Sequence, residues 1–275
     1  MYAEAEQRFE FGSNWRRFLS VLNDERIAEA ERSLEGKLGA GALKGAAFLD
    51  AGSGSGLFSL AAMRLGAARV RSFDYDPESV GCTAELRRRY FPDDERWTVE
   101  PGDVLDPAFL DGLGQFDVVY SWGVLHHTGD MWRALGNVDR LVAPGGRLYI
   151  AIYNDQGRRS RVWQRIKRRY NLLPGPLRMP YLLAIALPRE LLQLVRHLLR
   201  LDPMGYVRGW TAYERGRRGM SRWHNIVDWI GGYPYEFATP DEILAFYTQR
   251  SYELTELETI EGGSGCNEFV FRKSA

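Results

Sequence analysis

A chain of 275 residues, 45% of them hydrophobic, is long enough for one α/β domain carrying an insertion and can bury a substantial core. With 36 basic and 36 acidic residues the formal charge is zero, so bulk charge points to neither nucleic acid nor an acidic partner. Cys82 and Cys266, the two cysteines, lie far apart without C-x-x-C spacing, which excludes a disulfide framework and a cysteine zinc site.

The first residues include Glu4, Glu6 and Glu10 and lack the basic and apolar stretches of a secretory leader, so a cytoplasmic protein is expected. Residues 9–38 then read as a helical arm with an irregular apolar stripe that includes Phe9, Phe11, Trp15, Phe18 and Leu22. The stripe either packs on the domain that follows or brings Phe11 and Trp15 over a ligand as a lid. A glycine-rich loop closes this N-terminal part at residue 45.

A short apolar run, residues 46–50, ends at Asp50 and is followed by Gly52-Ser53-Gly54-Ser55-Gly56, after which helical spacing of apolar residues begins at 56–65. Strand, glycine loop and helix in this order make a ligand cradle, because glycines let the backbone turn tightly and the helix start offers unpaired N–H groups. The next strand, 69–74, ends in Asp74-Tyr75-Asp76-Pro77. An acid about 20 residues beyond the glycines, at the tip of a neighbouring parallel strand, can accept hydrogen bonds from ribose hydroxyls. The dinucleotide fingerprint is not met, since Leu57 occupies its last position. Asp50 would repel a pyrophosphate and could receive an ammonium group. A ligand with a ribose and a cation is therefore expected. Helix 77–90, strands 96–100 and 116–121, helix 130–142 and strand 146–153 continue the alternation, with Pro144-Gly145-Gly146 as the turn before the last strand. Such alternation predicts a doubly wound parallel sheet with its ligand at the carboxyl ends of the strands.

The run Asp50-Ala51-Gly52-Ser53-Gly54-Ser55-Gly56, the acid Asp74, Gly102-Asp103-Val104 and the stretch Phe116 to His127 together resemble the successive motifs of class I S-adenosylmethionine-dependent methyltransferases. The resemblance covers residues 45–153 and resumes near 239, and is nearest to the quinone-type and small-molecule enzymes. It implies an α/β fold with a doubly wound, mostly parallel seven-stranded sheet. S-adenosyl-L-methionine would be the cofactor. Asp50, Gly52, Ser53, Gly54 and Gly56 would face its methionine end, Asp74 with Tyr75 and Asp76 its ribose, and Asp103 with Val104 its adenine. Ser121 and Trp122, at the end of the fourth strand, would complete its surroundings. Residues 46–154 would form the cofactor-binding domain, and 239–275 a closing helix and antiparallel strand pair, with strands at 252–260 and 268–271. Similar enzymes build a substrate cap after the fifth strand, and here 155–238 breaks the alternation.

That insertion is strongly basic. It holds 16 basic and 6 acidic residues, a net of +10, leaving 20 basic and 30 acidic residues, a net of −10, on the rest. Arg158 to Arg169 interleaves arginines with Val162, Trp163 and Ile166, and an amphipathic helix with a leucine face follows Pro188. This segment either packs as a helical cap, rests on an anionic membrane or a lipid-like acceptor, or forms a nucleic-acid patch. A loop rich in aromatic residues, 222–236, leads to Thr239-Pro240-Asp241-Glu242, a helix start.

Methyl transfer from a sulfonium is an in-line displacement, so the protein must align the acceptor and take its proton where needed. His126 and His127, past the fourth strand, are candidate bases, with His224 in the cap as a rival. Trp15, Tyr153, Asn154, Tyr233 and Tyr235 are candidate acceptor contacts. No D/N-P-P-F/Y segment follows the fourth strand, no G-x-S-x-G elbow occurs, and no metal-ligand spacing is present. The expected activity is methylation of a small or lipophilic acceptor at a hydroxyl oxygen. Two rivals stay open, a cofactor-binding protein with other chemistry and an RNA methyltransferase using the basic insertion, although nucleic acid is not the expected partner.

Overall fold

The computed structural model describes residues 12–211, 222–260 and 265–275. Phe9, Phe11 and the glycines at 262 and 263 lie outside the described residues. The arm is two helices, α1 (Gly12–Ser20) and α2 (Asp24–Leu38). They part at Asn23, whose side chain accepts the Arg26 N–H at 3.0 Å and so caps α2.

The next elements alternate as the apolar pattern requires: β1 (Ala47–Ala51), α3 (Leu57–Arg64), β2 (Arg69–Asp74), α4 (Pro77–Tyr90), β3 (Trp97–Pro101), α5 (Pro107–Asp111), β4 (Phe116–Trp122), α6 (Met131–Asp139) and β5 (Val142–Tyr153). A 3-10 turn, Leu125–His127, follows β4. Among the described residues four helices then interrupt the sheet: α7 (Arg158–Leu172), α8 (Gly175–Leu199), α9 (Pro203–Thr211) and α10 (Arg222–Gly231). The chain closes with α11 (Pro240–Thr248), β6 (Tyr252–Glu258) and β7 (Cys266–Lys273).

The seven strands form one sheet in the order β3-β2-β1-β4-β5-β7-β6. The first five run parallel and β7 pairs antiparallel with both β5 and β6. Strand order reverses between β1 and β4, and the carboxyl ends at that reversal form the crevice in which α/β sheets bind ligands. Both faces of the sheet are covered. Phe48, Val70, Val118, Tyr149 and Val270 pack under α1 to α4, and their neighbours Leu49, Phe73, Val119, Ile150 and Phe269 under α5, α6 and α11. Each such buried side chain contributes about 2 kcal/mol of transfer free energy, which makes the sheet a rigid base for its loops.

Two sequence expectations change. Pro144-Gly145-Gly146 is not a turn before the strand but a bulge within β5, where the pairing steps from Phe116↔Val142 to Val118↔Arg147. Most of the stretch expected as an aromatic loop at 222–236 is helix α10, because Trp223, Ile226, Val227 and Ile230 recur at helical spacing and pack on α7 and α8. Lys167, inside the basic run Arg158 to Arg169, is fully buried.

Candidate active site

The glycine loop is built by three left-handed glycines, Gly52, Gly54 and Gly56, with φ of 85°, 53° and 79°. Space as well as dihedral demands glycine. A Cβ on Gly52 would stand 2.4 Å from the Val124 methyl groups, and one on Gly56 would stand 2.8 Å from the backbone of Thr83 on α4. A Cβ on Gly54 would come within 3.0 Å of the Trp15 indole, so the arm lies directly against the loop. Ser53 Oγ is 2.9 Å from Thr83 Oγ1, which fixes the loop on α4.

Asp50 ends β1 under this loop and is buried. Ser59 Oγ donates to Asp50 Oδ2 at 2.5 Å and lies 2.7 Å from Ser72 Oγ, which accepts the Trp97 indole N–H at 2.9 Å. Sequence reading missed this support. Its signal was present, since Ser59 and Ser72 are polar positions in otherwise apolar stretches. Burial pushes the Asp50 carboxyl up to about 7, Ser59 opposes the rise, and Asp74 adds repulsion.

Asp74 is half-buried at the end of β2. Its Oδ2 accepts the Gly54 N–H and its Oδ1 the Asp76 N–H, both at 2.9 Å, so the acid ties the loop to its own strand end. Burial raises it to about 6 against the pull of these backbone N–H groups. Asp76 caps α4 and also accepts the Gly12 N–H at 2.7 Å, which anchors α1 beside Asp74. Tyr75 is exposed between the two acids. Asp103 turns the chain after β3 by accepting the Leu105 N–H at 2.8 Å, and Val104 next to it is buried. Phe109, absent from the sequence expectations, covers Gly102 and packs edge-on against Phe73 at 5.1 Å.

Ser121 donates to the Ala51 carbonyl at 2.8 Å and so clamps β4 to β1 at the reversal. Trp122 instead donates its indole N–H to Glu268 on β7 at 3.0 Å, and Tyr149 donates to the other oxygen of the same carboxylate at 2.5 Å. That directs the Trp122 donor toward the antiparallel edge of the sheet and away from Asp50.

Beyond β4 the two histidines join an aromatic cluster. The His126 ring lies 4.0 Å from the Tyr153 ring, Tyr153 lies 4.9 Å from Tyr235, and Trp229 is 6.0 Å from Tyr153. His126 is fully buried, and its Nδ1 accepts the Tyr153 N–H at 3.4 Å. Desolvation holds its protonation well below the ordinary histidine range, and His127 and Lys167 add repulsion. His127 Nδ1 donates to the Pro234 carbonyl at 2.5 Å, which makes it the neutral Nδ1–H tautomer. Burial pushes His127 down to about 3. Glu236 bridges the same region, accepting the Gly129 and Met131 N–H groups, each at 3.0 Å. No sequence signal marked it.

Tyr235 is buried, Tyr233 is partly covered beside it, and Asn154 Oδ1 accepts from the Asn267 amide at 3.1 Å. Asn154 thus ties β5 to β7. The ammonium of Lys167 donates to the Trp229 carbonyl and stands 4.6 Å and 4.8 Å from the Trp229 and Tyr235 ring centroids. Carbonyl and ring faces offset the cost of burying its charge. His224 lies on α10, and its side chain is outside the described residues.

Residues 49–150 match the family model described as a methyltransferase domain. This segment is a methyltransferase domain. Its fold is shared with the magnesium protoporphyrin IX methyltransferase of Synechocystis, at 16% identity and a TM-score of 0.54 over 95% of this chain and 94% of that one. Among curated relatives, the ribosomal protein L11 methyltransferase of Xanthomonas campestris is 42% identical over 73 residues, 23% of this chain and 24% of that protein. A ubiquinone biosynthesis O-methyltransferase of Caulobacter is 28% identical over 142 residues, 50% of this chain and 51% of that protein. The chain thus spans about a quarter to a half of the length of these curated relatives. In the methyltransferase domain the matched segment holds the glycine loop, Asp74, Asp103 and both histidines, whereas the basic helices lie outside it.

Proposed function

We propose that this protein transfers the methyl group of S-adenosylmethionine to a small or lipophilic acceptor, at a hydroxyl oxygen. The observation that carries the reading is the pair Asp50 and Asp74, two carboxylates raised in pKa by burial, at adjacent strand ends on either side of the glycine loop. Such a site favours a cation and hydroxyl donors and disfavours phosphate. The relatives are methyltransferases, which supports methyl transfer, and the Caulobacter relative is an O-methyltransferase, which supports oxygen as the acceptor atom.

The residues divide the work as follows. Asp50 receives the ammonium of the methionine end, and Ser59 holds its carboxylate in place. Asp74 accepts from the ribose hydroxyls with the lone pairs its backbone partners leave, and Asp103 and Val104 border the adenine. Trp15 and α1 close over the loop. The cofactor supplies an electrophilic methyl on a sulfonium, so the protein's remaining task is alignment. The acceptor lies toward Tyr153 and the cap, and the bonds His127 makes to Pro234 and His126 to Tyr153 give both imidazoles the role of positioning that wall. In this division 155–238 is the cap and 239–275 completes the sheet.

A panel of phenolic, quinol and carboxylic acceptors incubated with labelled S-adenosylmethionine tests the proposal. Label in a hydroxyl-bearing acceptor, with one S-adenosylhomocysteine released per methyl, is the expected result. Cofactor binding with no transfer to any acceptor, or transfer only to RNA, would overturn it.

A further inference from the structure

Among the described residues the cap leaves one large apolar surface uncovered. Along α8, Leu177 stands two turns before Ala184, from which Leu187, Leu191, Val195 and Leu198 follow every three or four residues, and all face away from Leu182 and Ala186, the buried side of the helix. Leu191 is 61% exposed and Leu199, beside it on the arc, 80%. With Leu192 the outward arc is about 140° wide at 100° per residue, wider than the two-position seam of a paired helix. The surface continues past the helix end through Leu201, Met204 and Val207, all exposed.

Charge decides among occupants. Between Leu177 and Leu199 the only acid is Glu190, which is half-buried toward α9, where it accepts from the Tyr206 hydroxyl at 3.3 Å. Exposed arginines stand at both ends of the stripe. Arg165 and Arg169 lie near the corner where α7 turns into α8, which Arg178 pins by donating to the Leu173 and Asn171 carbonyls, and Arg196 and Arg200 lie at the far end. A second copy docked cap to cap would set +10 against +10. A negatively charged apolar surface meets both features. Among the described residues no helix is long and apolar enough to cross a membrane, so the contact is with the surface, where an amphipathic helix lies in the interfacial plane.

We propose that α8 and the start of α9 dock this protein on the surface of an anionic lipid bilayer. The proposal stands whether or not the acceptor is lipophilic, because it rests on the cap alone.

Flotation with vesicles of phosphatidylcholine, with and without phosphatidylglycerol, tests it. Flotation only with the anionic vesicles, lost at high salt, is expected. Leu191→Asp with Leu198→Asp should abolish it. Arg165→Ser, Arg169→Ser and Arg200→Ser should each weaken it by about fivefold. These positions are exposed, and unchanged S-adenosylhomocysteine affinity in the variants shows that the methyltransferase domain remains folded. No flotation with anionic vesicles at low salt would overturn the proposal. So would a dimer in sedimentation that Leu191→Asp dissolves while the wild-type protein ignores vesicles.

Discussion

Burial raises Asp50 to about 7 and Asp74 to about 6, so near neutral pH both carboxyls of the free protein are partly protonated. A ligand that brings an ammonium and hydroxyl donors favours their ionised forms. Its binding should therefore release protons, and its affinity should fall as pH drops from about 7, steepening toward about a hundredfold per unit well below both carboxyl pKa values, where two protons must leave. Calorimetry of S-adenosylhomocysteine in buffers of different ionisation enthalpy measures the release directly. An affinity flat from pH 8 to pH 5.5 would remove Asp50 from the ammonium contact. The histidines are shifted downward instead, and their effect is on stability. His126 and His127 are held neutral in the fold and protonate in the unfolded chain below about 6.5, so their contribution is fully present above that pH and lost as pH falls below it, for His127 down to about 3. Acid unfolding of His127→Gln should accordingly be shallower between pH 6 and pH 4. The variant should also lose about 1 kcal/mol at pH 7 with the Pro234 bond. A pH–rate profile with an inflection that His127→Gln removes would instead assign His127 the role of base.

Two elements act as closures over the strand ends. Helix α1 is tied down by the Gly12 N–H on Asp76 and by the Trp15 indole on Gly54, so it covers the glycine loop. Trp15→Ala should raise the Kd for S-adenosylhomocysteine by about tenfold, which is 1.4 kcal/mol, with little change in melting temperature because the indole is partly exposed. Equal losses of affinity and stability would make Trp15 ordinary core. The strap at 232–238 closes the other side. Ala238 N–H donates to the Tyr153 carbonyl at 3.0 Å, Glu236 N–H to the His126 carbonyl at 3.0 Å, and the Glu236 carboxylate bridges Gly129 and Met131. Glu236→Gln weakens a two-pronged, charge-assisted contact and should cost about 1–3 kcal/mol. Thermal unfolding reads that loss, and turnover should fall with it because the strap forms the wall behind Tyr153.

At the scale of the molecule, the residues that bind by backbone shape were the legible ones. Glycine spacing, an acid at each strand end and regular alternation of apolar segments are local signals, and they imply the sheet and the position of its crevice before any contact is known. Contacts between distant segments were not legible. Asp50's serine support spans three elements, Glu236 clasps a loop 107 residues earlier, and Trp122 turns toward a glutamate 146 residues later. Lys167 shows the same limit, since its arginine neighbours suggest solvent while Trp229 and Tyr235, over 60 residues on, enclose it. The cap's charge was visible by counting, whereas its outward leucine stripe depended on which side of α8 the bundle uses. All of this leaves one claim at the centre, that the loop between Asp50 and Asp74 holds S-adenosylmethionine. Isothermal titration of S-adenosylhomocysteine into the wild-type protein and Asp74→Ala tests it most directly. The account predicts a wild-type Kd in the low micromolar range, about −8 kcal/mol, weakened at least tenfold in the variant with the fold intact by circular dichroism. No binding to the wild-type protein, or equal affinity in a folded Asp74→Ala, would contradict it.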